Sequence, residues 1–384
     1  MYGEMVPLMQ LGPFSVTAYS LMMALAACLA LTVTILVDRR KTDGIGTERA
    51  VTLVLLSTLM ALVGGHLVYG LAFFPALDVD YGGYGFLLRL YEGGYTLFGA
   101  VFFVLLACVL LGRAWRIPST RLMDSLAPGA ALALCVGRVA EVFNGQGLGV
   151  TVEEEALQFF PYAVCTYMDA DWAEWYLAVF VFEAAAALVM FCVLLVMLRR
   201  PRRDGYIAGL FLTMLCASQI YFEQHRADDC IRFGFVRLTQ LCALAVMIGL
   251  LVIRTRRLVR GRGWKWEDGV RFIRFTAAAL CVVFIEFAFE KPQFYPYLDA
   301  CLILMVLCIC LPCAVRVRRD AAMGQKILHI ALCVASAAFA VFMIYILTLG
   351  LENEWDYLFA FMLVSLFVMA FDVCPRREDE GCIA

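Results

Sequence analysis

The sequence contains few charged residues, few histidines and none of the common motifs of nucleotide or haem chemistry. Asp, Glu, Lys and Arg together make up 17% of the 384 residues, and there are 3 histidines. No Gly-rich phosphate loop, aromatic-basic stripe or Cys-x-x-Cys-His motif is present. We therefore expect no nucleic acid, no cofactor and no metal as ligands. Internal repeats and low-complexity tracts are also not evident, which argues against a repeat architecture.

Apolar residues fill most of the chain instead. Hydrophobic residues account for 63% of the sequence, and the mean hydropathy is +0.83, which is more than a soluble domain can bury. A bilayer core about 30 Å thick needs roughly 20 apolar residues per helix. The sequence therefore predicts an all-α, polytopic transmembrane bundle with eleven spans near residues 15–37, 50–75, 96–112, 122–143, 175–198, 205–223, 234–253, 272–289, 297–315, 327–349 and 356–373.

Basic residues gather in every second connection between these predicted spans. Lys and Arg mark the cytoplasmic side of a membrane protein. This pattern predicts that the N-terminus lies outside and the C-terminus in the cytoplasm. The basic groups are Arg39, Arg40 and Lys41; Arg113, Arg116 and Arg121; the RRPRR run at 199–203; the cluster from Arg254 to Lys265; Arg316, Arg318 and Arg319; and Arg376 and Arg377.

The N-terminal segment and the cysteines carry few functional signals. No basic region precedes the first apolar run, so we expect no cleavable signal peptide and a retained first helix. Most of the 16 cysteines lie singly in apolar runs, where a thiol packs as a small hydrophobe. The CICLPC stretch at 308–313 is interpreted in the same way. Cys165 and Cys230 fall in predicted outer loops, so a disulfide between them stays an open alternative.

A basic stretch, RTRRLVRGRGWKWEDGVR, divides the first seven predicted helices from the last four. It predicts a domain at 1–255, a cytoplasmic linker at 256–271 and an additional four-helix region with a short tail at 272–384. Most polar residues at membrane depth lie in the first part. Any chemistry is therefore expected there.

Ionisable residues inside predicted spans are the strongest functional candidates, because a charge in the bilayer costs several kcal/mol unless it is paired or faces a wet cavity. Arg138, Glu141 and Asn144 recur every three residues, which predicts one shared helical face. Glu223 and Arg226 are also three apart. The YEGGYTLFGA segment adds a Gly pair that lets the backbone bend or approach another chain closely.

Each of these signals also has a structural alternative. Arg138 and Glu141 can form a buried ion pair that only fixes helix register. Glu223 and Arg226 can form a solvated pair at the membrane surface. Glu183 in VFEAAAAL is expected to bond a neighbouring helix, and the isolated histidines are expected to bond nearby groups. Glycines in GGHLVYG and YEGGY can serve close helix packing.

Taken in order, these segments resemble the bacterial phosphatidylglycerol–prolipoprotein diacylglyceryl transferases over about the first 255 residues. LGPFSVTAYSLMMALA is similar to the opening helix of that family, and GGHLVYGLAFF to its G-x-R-x-x-Y-V-L-F segment. YEGGYTLFGA is similar to W-E-G-G-x-S-F-H-G-G, and GRVAEVFNGQGLG to the signature G-R-x-x-N-F-x-N-x-E. QIYFEQHRADD is similar to R-x-x-x-E-F-x-R-x-x-D.

The motifs match at several polar positions and depart at others. Matching residues are Tyr19, Tyr69, Arg138, Asn144, Gly145, Gly149, Glu223, Arg226 and Asp229. The departures are His66 for an Arg, Phe98 for a His, Glu141 for an Asn, Gln146 for a Glu and Gln219 for an Arg. The H-P-x-Q-x-Y-E segment is shortened to VFE, which keeps only Glu183.

The resemblance implies a transferase in the bacterial plasma (inner) membrane that moves a diacylglyceryl group from phosphatidylglycerol, or a related phospholipid, to a thiol. The acceptor would be the lipobox cysteine beside the signal peptide of an exported prolipoprotein. The implied catalytic residues are Tyr19, Asn144 and Glu223, and the implied lipid-binding residues are Arg138, Gly145, Gly149 and Arg226. Because Phe98 cannot accept a proton, His225 is a candidate substitute base.

Three alternatives remain beside this function. The same fold can transfer the lipid group to a different acceptor. It can also serve as a non-catalytic membrane protein that binds lipid or a protein partner. A transporter is the third alternative, although paired broken helices in matching halves are not visible in the sequence.

Overall fold

A computed structural model describes residues 7–11, 14–40, 44–74, 86–87, 89–90, 94–169, 172–199, 203–227, 231–233, 235–290 and 354–373. These residues are mainly helical. The helices are α1 (Ala18–Arg39), α2 (Thr47–Ala72), α3 (Leu97–Trp115), α4 (Ser119–Ala140), α5 (Val179–Met197), α6 (Tyr206–Glu223), α7 (Leu238–Arg262), α8 (Trp266–Glu290) and α9 (Glu354–Val373).

Short antiparallel hairpins precede α1 and lie between α4 and α5 and between α6 and α7. They are β1 (Pro7–Leu11) with β2 (Phe14–Thr17), β3 (Ala163–Asp169) with β4 (Trp172–Leu177), and β5 (Arg232–Phe233) with β6 (Val236–Arg237). Cys165 on β3 pairs with Trp175 on β4 and is a free cysteine. Its candidate disulfide partner, Cys230, lies outside the described residues.

Seven of the described helices are long and apolar enough to cross a membrane. The residue ranges of these membrane-span candidates are Ala18–Arg39, Thr47–Ala72, Leu97–Trp115, Ser119–Phe143, Val179–Met197, Tyr206–Glu223 and Leu238–Gly261. The length and apolar composition of these helices confirm the prediction of a mainly helical, polytopic membrane protein. The predicted spans near 297–315 and 327–349, and the CICLPC stretch, lie outside the described residues.

The chain forms two compact units, of which the first contains Met1–Ser218 and Phe222–Ile231. Within it α1 packs against α4, α2 against α3, and α4 against α5. Leu53, Cys108 and Leu122 are fully buried in the apolar core between these helices. Gly64 on α2 faces Phe103 on α3 so closely that a Cβ would collide with the ring. The predicted use of GGHLVYG in close helix packing is thus confirmed at Gly64.

A buried carboxylate fixes the beginning of α6 in the first unit. Asp124 on α4 accepts hydrogen bonds from the backbone N–H groups of Gly205, at 2.6 Å, and Ala208, at 2.7 Å. Gly205 is the N-cap of α6 and Ala208 lies in its first turn, where the N–H groups have no partner within the helix. A negative charge at a helix N-terminus is also favoured by the helix dipole. Asp124 therefore anchors α6 to α4.

We expect Asp124→Ala to lower the free energy of unfolding by about 1–3 kcal/mol, because two N–H donors lose a charged acceptor. Asp204→Ala is the control, since Asp204 pairs with Arg121 at the surface, where the two side chains are 38% and 36% exposed. That change is expected to cost less than about 1 kcal/mol. Thermal unfolding of the detergent-solubilised variants measures both. Equal costs would contradict the anchoring role of Asp124.

The second unit contains Gln219–Tyr221 and Arg232–Ala384. Here α9 packs against α8 and α7, and the Arg254 guanidinium donates to the backbone carbonyl of Asp372 at 2.6 Å. The basic stretch expected to be a linker at 256–271 is largely helical, because α7 continues to Arg262 and α8 begins at Trp266. Arg and Leu favour helix, and Gly263, with φ 74°, ends α7. The assignment of a domain boundary there stays a prediction.

Candidate functional site

Two arginines and two glutamates form a closed ring of ion pairs in the first unit. Arg138 contacts Glu141 at 2.5 Å and Glu183 at 3.2 Å. Arg226 contacts Glu141 at 3.2 Å and Glu183 at 2.7 Å. Each guanidinium therefore contacts both carboxylates, and each carboxylate contacts both guanidiniums. We call these four side chains the charge ring.

The charge ring is buried, and its formal charges sum to zero. The exposed fraction of the side chain is 10% for Arg138, 12% for Glu141, 11% for Arg226 and 2% for Glu183. Buried charges are tolerated when oppositely charged neighbours and hydrogen bonds replace the lost water. Glu183 forms the innermost member, and the other three side chains keep an accessible edge.

The end of α4 supplies the first half of the charge ring. α4 ends at Ala140 and a single 3-10 turn, Glu141–Phe143, follows. The expected i,i+3 pair of Arg138 and Glu141 is confirmed. Asn144 caps this 3-10 turn, and its N–H donates to the Glu141 carbonyl at 3.0 Å. The expectation that its side chain shares the face of Arg138 and Glu141 stays a prediction.

A glycine turn packs directly against Glu141. Gly147 has φ 75°, and a Cβ there would collide with Oε2 of Glu141 and lie 2.8 Å from Cβ of Phe180. The Phe180 N–H donates to the Gly147 carbonyl at 3.0 Å, which ties this turn to α5. Sequence reasoning did not select Gly147. Its only signal was the spacing of glycines in NGQGLG.

Gly149, a predicted lipid-binding residue, lies against the segment that carries Arg226. The two residues form an antiparallel β-bridge, and the Ala227 N–H donates to the Leu148 carbonyl at 2.9 Å. A Cβ on Gly149 would lie 2.7 Å from the carbonyl oxygen of His225. Gly149 thus allows the close backbone approach that places Arg226. Gly145, with φ 66°, belongs to the same turn-rich connection.

Tyr19 lies near the charge ring at the beginning of α1. The charges of Glu141 and Arg138 both act on its hydroxyl, as does Tyr95. A capping box starts the helix, because Thr17 Oγ1 accepts from the Ser20 N–H at 3.2 Å and Ser20 Oγ accepts from the Thr17 N–H at 3.0 Å. This cap fixes where the first turn of α1 presents Tyr19.

Glu223 and Arg226 lie at the end of α6, where the Arg226 N–H donates to the Glu223 carbonyl at 3.3 Å. Both residues are buried or nearly buried, with Glu223 8% exposed. The alternative of a solvated surface pair is therefore wrong. The Arg226 side chain is buried because it pairs with Glu141 and Glu183, which lie on other elements. The predicted bond of Glu183 to other elements is confirmed by the same contacts.

His66, which stands where the family motif has an Arg, fixes the connection between α2 and α3. The fully buried ring places Nδ1 3.1 Å from the Gly94 carbonyl oxygen and Nε2 3.0 Å from that of Phe86. The expectation that this histidine bonds nearby groups is confirmed. Tyr95 follows in the same connection and donates its hydroxyl to the Leu90 carbonyl at 2.5 Å. Burial raises the pKa of Tyr95.

Seven apolar helices and a buried charge ring at the end of α4 define a polytopic membrane protein with a buried polar site. The sequence model of the Prolipoprotein diacylglyceryl transferase family matches residues 7–255. The chain belongs to this family, as its motifs predicted. It is a multi-pass protein of the bacterial plasma membrane, with the sequence character of a diacylglyceryl transferase.

Similar proteins share roughly a quarter of their residues with the chain. A phosphatidylglycerol–prolipoprotein diacylglyceryl transferase of Parasynechococcus marenigrum is 29% identical over 261 residues, which are 63% of this chain and 89% of that protein. The Clostridium kluyveri transferase is 25% identical, over 66% of this chain and 96% of its own. The Listeria innocua transferase is 24% identical, over 64% and 88%. The matched region thus covers most of these relatives and about two thirds of this chain.

Proposed function

We propose that the protein transfers a diacylglyceryl group from a glycerophospholipid, phosphatidylglycerol in its named relatives, to the lipobox cysteine thiol of an exported prolipoprotein. The family match supports the reaction class. The observation that carries the proposal is the convergence of Arg138 and Arg226 on one buried site, with Tyr19 beside it. Guanidinium groups suit a phosphodiester, because their planar, permanently charged fork binds phosphate oxygens in a bidentate way.

The transfer makes one bond and breaks one. The thiolate sulfur attacks the glycerol carbon that bears the phosphate, a C–S bond forms, and the C–O bond to the phosphate breaks. The leaving phosphate takes the electron pair, and Arg138 and Arg226 stabilise its charge. Tyr19 and Asn144 supply neutral hydrogen bonds to the phosphate or glycerol oxygens. Gly145 and Gly149 shape the connection that holds Arg226 in place.

The proton of the attacking thiol, whose ordinary pKa is about 8.5, needs an acceptor. Phe98 in the first turn of α3 has no basic group. The carboxylates of Glu141 and Glu183 each already accept from both guanidiniums. We assign the role to His225, which precedes Arg226 in the chain, with Glu223 shaping the same end of α6.

The proposed topology places this chemistry on the exported side of the membrane. Eleven spans with an outer N-terminus and a cytoplasmic C-terminus put the basic residues before α4 in the cytoplasm. The charge ring lies at the opposite end of α4, where an exported peptide arrives. In this arrangement residues 1–255 form the transferase domain, and the four helices of 272–384 are an addition to it.

Transfer to a labelled acceptor tests the proposal. The full-length protein is expressed in cells depleted of their own transferase, with labelled phosphatidylglycerol or another labelled phospholipid and a lipobox substrate. We expect label on the substrate thiol, and Arg138→Gln to reduce it more than about a hundredfold. Arg121→Gln, which changes an exposed charge, is expected to retain transfer. Absence of label despite normal expression of the wild-type protein would refute the proposal.

A non-catalytic lipid- or partner-binding protein on the same scaffold is the second candidate. The observation that favours it is the closed charge ring, in which both guanidiniums are already engaged by carboxylates. The two candidates differ in one phenotype. If the protein is non-catalytic, Arg138→Ala complements a deletion strain as well as wild type. If it is a transferase, that variant fails while Arg121→Ala succeeds.

A further inference from the structure

We propose that Glu286 on α8 positions the end of α6 through Gln240, and thereby holds Glu223 and Arg226 in place for the transfer reaction. The inference rests on the proposed function, because Glu223 and Arg226 belong to the site of that reaction. Glu286 lies beyond residues 7–255, which the family model matches. The first of the additional helices thus takes part in the reaction without touching its substrates.

The end of α6 carries backbone carbonyl groups that a helix cannot satisfy by itself. α6 ends at Glu223, and the carbonyls of the last four residues of a helix have no N–H partner within it. The Glu223 carbonyl accepts from the Arg226 N–H, at 3.3 Å. The Ile220 carbonyl accepts from the side-chain amide of Gln240, at 3.3 Å. Ile220 is 3% exposed, so this amide supplies a donor where water has little access.

The side-chain amide of Gln240 is held by three partners of fixed type. Its Oε1 accepts from the Arg237 N–H at 3.1 Å, and its Nε2 donates to the Ile220 carbonyl and, at 2.7 Å, to Oε1 of Glu286. A backbone N–H can only donate and a carbonyl can only accept, so a single orientation of the amide satisfies both. The bond to Glu286 is the shortest of the three. Glu286 therefore fixes the amide in the position from which it caps α6.

The pair of Gln240 and Glu286 is buried, and an aromatic contact packs α8 beside it. Gln240 is 4% exposed and Glu286 is 2% exposed. Phe287, the residue after Glu286, packs edge to face against Phe235, with ring centroids 5.3 Å apart. Loss of the Glu286 carboxylate leaves a buried N–H of Gln240 without its acceptor, and the last turn of α6 then loses its fixed cap. A displacement of about 1 Å at a reacting group can reduce the rate of a reaction about a hundredfold.

Transfer by the full-length protein in the labelled-phospholipid assay, measured per amount of folded protein, tests this role. Glu286→Met removes the acceptor of Gln240, and we expect it to reduce transfer at least about tenfold. Glu286→Gln keeps a side-chain oxygen that accepts from Gln240, and it is expected to stay within about threefold of wild type. Asp268→Ala is the control, since Asp268 is another buried carboxylate on α8 and accepts from the Lys265 N–H. This control is expected to lower thermal stability and to leave transfer unchanged.

A double variant separates the cap of α6 from the contact between α7 and α8. Gln240→Glu with Glu286→Gln exchanges the amide and the carboxylate, so a hydrogen bond between the two positions is retained. The carboxylate at position 240 then has no N–H to donate to the Ile220 carbonyl. We expect this variant to be more thermally stable than Glu286→Met, while its transfer remains at least about tenfold below wild type. If Glu286→Met fails to fold, the double variant decides the question by itself.

Each outcome decides a different question. Wild-type transfer with equal rates in Glu286→Met and Asp268→Ala overturns the inference and leaves the proposed reaction standing. A double variant that transfers as wild type overturns the role of the Ile220 cap. A wild-type protein without transfer refutes the proposed reaction, and backbone hydrogen exchange at residues 224–227 then decides whether Glu286 holds the end of α6. We expect faster exchange there in Glu286→Met than in Asp268→Ala, and equal exchange overturns the positioning.

Discussion

Arg226→Met is expected to lower the free energy of unfolding by about 3–5 kcal/mol, because it leaves two buried carboxylates with a single guanidinium. Arg226 contacts both Glu141 and Glu183, and its side chain is 11% exposed. Water cannot replace the lost cation around Glu183, which is 2% exposed. Thermal unfolding in detergent measures the loss. The same variant should also lose retained phospholipid.

A compensating change separates charge balance from simple loss of packing. In the double variant Arg226→Met with Glu183→Met, one neutral pair remains, that of Arg138 with Glu141. Buried ion pairs replaced by apolar residues of similar size are often neutral in stability. We therefore expect the double variant to be more stable than Arg226→Met alone. A double variant that loses the sum of both single effects would contradict the charge ring as the source of stability.

The sequence predicted the pair of Arg138 and Glu141 in the charge ring, but it did not predict the contacts of Arg226 with Glu141 and Glu183. Arg138 and Glu141 are three residues apart, so a helical end brings them together locally. Arg226 is 43 residues from Glu183 and 85 from Glu141. No local spacing predicts that contact, because it depends on how α4, α5 and the end of α6 pack. Motif order indicated that these residues belong to one site, but the partners of each charge required the fold.

The positions of the helices could be predicted from local sequence, whereas some of their ends depended on tertiary structure. Apolar runs predicted the seven helices that can span a membrane to within about four residues, except for the end of α7, which was predicted at 253 and lies at Arg262. The spacing of Arg138, Glu141 and Asn144 did not predict that α4 ends at Ala140 and that a 3-10 turn follows. α7 extends beyond its apolar run to Arg262 because Arg and Leu favour helix even outside the membrane. Hydropathy thus located the spans, whereas the ends of the helices depended on turns and packing.

The closed charge ring changes how binding at this site must work. A guanidinium with no other partner would attract a phosphate directly, but both guanidiniums here contact two carboxylates. In the proposed reaction, a phosphate that binds these guanidiniums must compete with the carboxylates that already contact them. The turn that holds Glu141 against the guanidiniums therefore belongs to the same site.

Gly147→Ala should reveal the importance of that turn. An alanine at this position must adopt φ 75°. Its Cβ would collide with Oε2 of Glu141 and lie 2.8 Å from Cβ of Phe180. The left-handed backbone costs about 1–2 kcal/mol, and overpacking adds roughly 1–3 kcal/mol. We expect lower thermal stability together with a smaller amount of phospholipid retained on purification, because Oε2 is the atom that contacts Arg226.

Gly263→Ala is the control for this variant. Gly263 also has a positive φ, 74° with ψ 173°, and nothing lies within 4 Å of an added Cβ, so this change adds a backbone cost without a collision. Only Gly147→Ala also collides with Glu141 and crowds Phe180, so only that variant is expected to retain less phospholipid on purification. Equal amounts of retained phospholipid in the two variants would show that Glu141 moves aside freely and that the turn does not hold it in the charge ring.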